Sequence, residues 1–89
     1  MTHYSLIAID PKGREFLLVV LPVNDEKVPA VWRWELGVVA HVDGVVIPLH
    51  YWTTYFAEAA AARKRAAGLA AEIDAGKLVQ SADIYTGAR

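Results

Sequence analysis

No cysteine occurs among the 89 residues of this chain. The absence excludes a disulfide framework, a thiolate metal site and a cysteine nucleophile. A chain without disulfides is compatible with a reducing compartment. We therefore expect a cytoplasmic protein.

Long apolar segments and an excess of either charge are also lacking. The apolar run at residues 16–23 is too short to span a bilayer, and Met1-Thr2-His3-Tyr4 lacks the basic start of a secretory signal. Nine basic and ten acidic residues leave a net charge of −1, so no global basic field attracts nucleic acid or an anionic membrane. We expect a protein that is not targeted and has no membrane partner.

The hydrophobic residues, 55% of the chain, are numerous enough to form a core without cross-links. The length predicts a single domain, residues 1–89. We divide it into a first hairpin (1–21), a second hairpin (30–52), a helix (54–76) and a tail (77–89). The tail contains Ile84-Tyr85-Thr86, a candidate for a short extra strand. The order ββββα predicts an α+β fold, in which a four-stranded antiparallel sheet carries one long C-terminal helix on one face.

The register of the second hairpin follows from the dipeptide Asp43-Gly44, which lies between two apolar, β-branched runs. Both residue types tolerate positive φ, as a two-residue type I′ turn requires. Counting outward from this turn predicts which residues oppose each other on the core face. The predicted pairs are Val42–Val45, Ala40–Ile47, Val38–Leu49 and Leu36–Tyr51. The fourth strand is predicted to run to about Trp52, with Pro48 at a sheet edge or a bulge.

The first hairpin is predicted to join strands at residues 4–9 and 15–21 through the turn Asp10-Pro11-Lys12-Gly13. Residues 16–21 are apolar on both faces, although a sheet with one solvated face favours alternation. This strand is therefore either central and covered on both faces, or part of a subunit contact.

The helix is predicted over residues 55–75, capped by Thr53 or Thr54 and ended by Gly76. The residues of its apolar stripe follow one another at alternating intervals of four and three positions. The stripe consists of Tyr55, Ala59, Ala62, Ala66, Leu69 and Ile73. Because its middle is alanine, we expect the helix to approach the sheet closely. Large residues of the third strand, predicted over residues 31–42, would then fill the core: Trp32, Trp34 and Leu36.

Catalytic signals are weak. No serine lies in a Gly-x-Ser-x-Gly context, and the glycines lack a phosphate-binding spacing. In the predicted register His41 and His50 lie two rungs apart, roughly 10–14 Å, which is too far for a shared metal ion. Glu35 lies diagonal to His50 and is interpreted as its polar cross-strand neighbour. We expect no enzyme, no metal and no cofactor.

The face of the second hairpin that points away from the helix is the leading candidate for a binding surface. It is predicted to carry Arg33, Glu35, His41, His50 and Trp52, among them residue types that are enriched in binding hot spots. We expect a small protein–protein interaction module that binds itself, most simply as a two-fold homodimer, or binds another protein. The size and build also suit a stoichiometric inhibitor encoded by a phage or mobile element, of the anti-CRISPR kind.

The alternative function is weak nucleic-acid binding through Arg63, Lys64 and Arg65, the one local basic cluster. Three cations would release about three counterions from DNA, which makes a weak and salt-sensitive contact. The cluster spans most of a helical turn, and acidic residues share the helix. A solvated helix face is the simpler interpretation.

Overall fold

The computed structural model describes residues 4–49 and 52–77 and has the predicted α+β architecture, with one more strand than expected. The elements are β1 (Tyr4–Ile9), β2 (Glu15–Pro22), β3 (Trp34–Val42), β4 (Val45–Pro48), β5 (Thr54–Phe56) and α1 (Ala59–Asp74). The candidate strand at residues 84–86 lies outside the described residues.

The strands form one antiparallel sheet in the order β1-β2-β3-β4. The short strand β5 also pairs with β3, through Trp34, Glu35 and Leu36. Because β2 occupies one side of β3, β4 and β5 share the other side, one after the other. The apolar strand β2 is therefore central in the sheet, flanked by β1 and β3.

The Asp43-Gly44 turn has the predicted conformation and sets the predicted register. Both residues have positive φ, 51° and 78°, as a type I′ turn requires. Val42 pairs with Val45 and Ala40 with Ile47, and the Leu49 N–H donates to the Val38 carbonyl at 2.9 Å.

The predicted register ends there, because β4 stops at Pro48 instead of running to Trp52. Tyr51 lies outside the described residues, and Leu36 pairs with Thr54 of β5. Proline has no N–H to donate to a ladder, and β4 is an edge strand, as Pro48 predicts.

The helix begins four residues later than predicted, at Ala59. Thr54 and Tyr55 belong to β5 instead, so Tyr55 is not part of the helical stripe and neither threonine caps the helix. The N-cap is Glu58, which makes no side-chain capping hydrogen bond. β-Branched and aromatic residues favour strands, and pairing with β3 stabilises that choice here.

The C-terminal end of the helix is confirmed at Gly76, whose φ is 74°. The Gly76 N–H donates to the Ile73 carbonyl at 2.9 Å, and the Lys77 N–H donates to the Glu72 carbonyl at 3.0 Å. These two bonds are those of a Schellman motif, which satisfies the last carbonyls of the helix. The left-handed glycine thus ends α1 where the sequence predicts.

The core lies between α1 and one face of the sheet. The helix contributes Ala62, Ala66, Leu69 and Ile73, all buried as predicted. The sheet contributes the residues that alternate toward the helix. They are Ala8, Phe16, Leu18, Val20, Leu36, Val38, Ala40 and Val42, with Leu49 after β4.

The predicted core position of Trp32 is wrong. Trp34 packs partly buried against the core, but Trp32 is 41% exposed. β3 begins at Trp34, so Trp32 lies in the preceding loop, where its backbone N–H donates to the Pro29 carbonyl. Leu36 is fully buried as predicted, and Phe16 and Leu18 of β2 supply the other large, fully buried side chains of the core.

The first turn is held by the buried carboxylate of Asp10. Its Oδ1 accepts the backbone N–H groups of Lys12 at 3.0 Å and Arg14 at 2.9 Å, and its Oδ2 accepts Nε of Arg14 at 2.7 Å. Burial acts to raise the pKa of this carboxyl, but the hydrogen bonds from Arg14 and Lys12 and the charge of Arg14 outweigh it. The pKa of Asp10 is therefore lowered from 3.8.

We predict that Ala66→Leu destabilises the protein by about 1–3 kcal/mol, because three added carbons must fit where the helix touches the sheet. The matched control is Ala67→Leu at the exposed neighbouring position. Urea denaturation of both variants measures the difference in free energy of unfolding. Equal stabilities would contradict the close packing of the alanine stripe.

Asp10→Asn is expected to lower the free energy of unfolding at pH 7 by about 1–3 kcal/mol, because the neutral amide cannot replace all three contacts. The folded pKa lies below the unfolded one, so the carboxylate's contribution is fully present above pH 3.8 and is lost as the pH falls through the folded value. The variant should lack this acid-dependent component in unfolding curves between about pH 7 and 2. Asp25→Asn, at an exposed turn, is the control.

Candidate functional site

The face of the sheet opposite α1 is called here the open face. Successive side chains of a strand point to opposite sides, so the residues between the core positions define this face. They are Ser5, Ile7 and Ile9 of β1, Glu15, Leu17, Val19 and Leu21 of β2, Glu35, Gly37, Val39 and His41 of β3, and Val46 and Pro48 of β4. The described helix packs on the other face.

The strand register aligns these side chains in rows that cross the sheet. One row is entirely apolar: Ile7, Leu17, Val39 and Pro48. The next row is Ile9, Glu15, His41 and Val46. Ile7 is 67% exposed, Val46 64% and Leu17 39%. Aliphatic side chains therefore form a continuous exposed patch across four strands.

A polar pair lies within this patch. Nδ1 of His41 is 3.7 Å from Oε1 of Glu15, and each side chain is 53% exposed. The pair borders a shallow depression of about 310 Å³ lined by apolar side chains of the two rows, including Ile7, Leu17 and Val46. The depression thus has an aliphatic floor and one polar end.

Two of the predicted binding residues lie on the open face. His41 contacts Glu15 there, and Glu35 is half-buried between Leu21 and Tyr55. Arg33 is exposed just before β3. Together with Trp32 it lines a depression of about 710 Å³ in the β2–β3 loop. His50 lies outside the described residues.

The predicted placement of Trp52 on the outer face is wrong. The side chain is half-buried and packs against the hydrophobic core. The prediction extended the alternation of β4 by four residues, but β4 leaves the sheet at Pro48. Beyond Pro48 the alternation of side chains along a strand no longer determines on which face of the sheet a residue lies.

The exposed residues that the first hairpin contributes to the face were not singled out from the sequence. Ile7, Glu15 and Leu17 join the face because β2 pairs with β3 along its whole length. The sequence carried a signal for this face, because the residues of β2 are apolar on both sides of the strand. Helix α1 covers one of these two sides. Among residues 4–49 and 52–77, no further helix or strand packs against the second side. The subunit-contact interpretation stays a prediction.

The basic cluster of α1 is partly engaged within the chain. The guanidinium of Arg63 lies 5.6 Å from the ring centroid of Tyr4, and Nη1 of Arg65 lies 3.3 Å from Oε2 of Glu72. A nucleic acid would have to compete with both contacts. The arrangement is that of a solvated helix face with local partners.

Within residues 4–49 and 52–77, no group of three or more histidine and acidic side chains is arranged to hold a metal ion. In the same ranges no helix has the length and hydropathy of a bilayer span. Comparisons with protein-family models, curated proteins and solved structures find no match to this chain.

The two faces of β2 are predicted to differ sharply in their tolerance of a polar residue. Leu18→Thr, at a fully buried position, should lower the free energy of unfolding by about 2–5 kcal/mol. Leu17→Thr, one residue earlier on the open face, should change it by less than about 1 kcal/mol, since threonine suits a solvated strand. Urea denaturation at low micromolar protein measures both values. An equal loss in both variants would mean that Leu17 is covered.

Proposed function

We propose that this protein is a small, cytoplasmic, non-catalytic interaction module that binds a protein partner through the open face. The observation that supports it best is the continuous row Ile7, Leu17, Val39 and Pro48, which crosses the sheet on the face opposite the helix, where no other described element packs. Large contiguous apolar patches on a soluble protein mark interaction sites.

The central strand β2 exposes an aliphatic side chain on the open face. Leu17 lies on β2, between β1 and β3, where a sheet with one solvated face would carry polar residues. Fully burying one such aliphatic side chain is worth about 1.5–3 kcal/mol. A protein partner that covers Ile7, Leu17 and Val46 recovers this free energy, whereas water does not.

The polar groups are placed as in a protein interface. Glu15 and His41 lie in the row beside the aliphatic row, and Glu35 lies at the far end of the face. An apolar centre with charged residues toward the margin is the usual anatomy of protein–protein interfaces. The face therefore provides both contact area and groups that orient a partner.

Two forms of this function use the same surface. The occupant is either a second copy of the chain or a different protein, and in the second form the chain acts as a stoichiometric binder or inhibitor, of phage or mobile-element origin. Nucleic-acid binding through Arg63, Lys64 and Arg65 is the less supported function, because two of these cations already have contacts within the chain.

We expect Ile7→Lys and Val46→Lys each to weaken association by about 10-fold or more, because each places a charge in the exposed aliphatic patch that the partner would cover. Ala67→Lys, on the exposed side of α1, is the matched control. Light scattering over a concentration series measures self-association, and immobilised protein exposed to a lysate of the source cells measures binding to other proteins.

The proposal is contradicted if the two open-face variants self-associate and capture the same proteins as the wild type. Circular dichroism confirms that each variant is folded. Binding that is lost only in Ala67→Lys would move the site to the helix.

A further inference from the structure

We infer that the occupant of the open face is a second copy of the chain, related by a two-fold axis that runs parallel to the strands between β2 and β3. This inference rests on the proposed function, since it names the partner of the same face. Its basis is that the rows of the open face complement themselves under this one rotation.

The rotation turns the second sheet over and lays it on the first. Because the axis is parallel to the strands, β2 lies over β3 of the partner and β1 over β4, while each row stays at its own level along the strands. Two sheets packed in this way keep their strand directions within about 30° of each other and lie about 10 Å apart. Such aligned packing is the usual geometry of β-sandwiches.

The side chains brought into opposition fit one another. Leu17 lies opposite the partner subunit's Val39, and Ile7 lies opposite the partner subunit's Pro48. Glu15 lies opposite the partner subunit's His41. Within one chain the carboxylate and imidazole are 3.7 Å apart, so in the dimer each carboxylate has an imidazole beside it in its own chain and another opposite it in the partner. Every such contact occurs twice, as an isologous interface requires.

The row that contains Val19 and Gly37 leaves space for a side chain of the partner subunit. Val19 pairs with Gly37 within the sheet, so the rotation places Val19 opposite the partner subunit's Gly37. Apart from Gly37 itself and its two chain neighbours, no residue has a heavy atom within 4 Å of the position that a Cβ on Gly37 would occupy. The valine side chain therefore meets an opening at the level where a larger residue would push the sheets apart.

The competing two-fold axis, perpendicular to the strands through the Leu17 row, is disfavoured by charge. It would place Leu17 opposite its own copy, but Glu15 opposite the partner subunit's Val19. An acidic group buried against an aliphatic side chain loses its hydration without gaining a partner. The pairing of Glu15 with His41 thus favours the axis between β2 and β3, under which Glu35 lies opposite Leu21 of the partner subunit only at the far end of the face, outside the three central rows.

The size of the patch sets the expected strength. Four strands about 4.8 Å apart and three rows about 6.8 Å apart give a footprint on the order of 400 Å². Stable complexes bury about 800 Å² per partner, and weaker encounters less. We therefore expect a dimer with a Kd in roughly the micromolar range, populated only at high protein concentration.

The decisive experiment mixes two variants that cannot dimerise alone. Leu17→Arg and Val39→Glu each put a charge opposite an aliphatic residue twice per homodimer, so each should raise the dimer Kd by about 30-fold or more. In an equimolar mixture, the arginine introduced by the first substitution lies opposite the glutamate introduced by the second, and the remaining contact is the native one between Leu17 and Val39. Sedimentation or light scattering at about 1–500 µM should show recovery of a one-to-one dimer in the mixture.

Val31→Glu, at an exposed apolar position in the β2–β3 loop, is the control and should dimerise like the wild type. If circular dichroism shows that Val39→Glu does not fold, Glu15→Arg and His41→Glu form a second complementary pair with the same expected rescue.

The outcomes separate the inference from the proposed function. A mixture that stays monomeric while the wild type dimerises overturns this axis. A wild type that is monomeric throughout, but captures another protein through the open face, overturns the self-association and supports the proposed function. Dimers that ignore all four substitutions overturn the inference, and they contradict the proposed function as well if the substitutions also leave the capture of other proteins unchanged.

Discussion

A single helix of 16 residues covers one face of a five-stranded sheet and leaves the other without a layer in the described structure. The close approach of that helix depends on Ala62 and Ala66, both fully buried, which let Phe16, Leu18 and Leu36 fill the core beneath it. This one-sided packing fixes which side chains of each strand point inward. The side chains that alternate with these inward-pointing residues form the open face, and many of them are aliphatic.

Much of the fold is predictable because short-range physical signals agree with one another. Asp43-Gly44 sets a turn that only residues tolerant of positive φ form, and Gly76 ends the helix for the same stereochemical reason. The start of the helix was misplaced because Thr54 and Tyr55 suit either a capped helix or a strand. Pairing with β3 decides between them, and that is a tertiary interaction which local propensity does not contain.

The candidate site was only half predictable. Glu35 and His41 were placed on the open face by counting from the turn, but the same count failed at Trp52, because β4 ends at Pro48. Ile7 and Leu17 were missed because the strand order that brings the first hairpin beside β3 is not a local property. The apolar residues on both faces of β2 indicated that a second surface required explanation, without locating its neighbours.

The most direct test of the account is the solvent accessibility of the open-face methyl groups as a function of protein concentration. A soluble paramagnetic agent in methyl NMR should broaden Ile7, Leu17 and Val46 at low concentration and progressively less as concentration rises, while Val31 stays broadened and Leu18 stays protected throughout. Open-face methyls that remain equally broadened at every concentration, or that are protected even at the lowest, would contradict a second copy as the occupant.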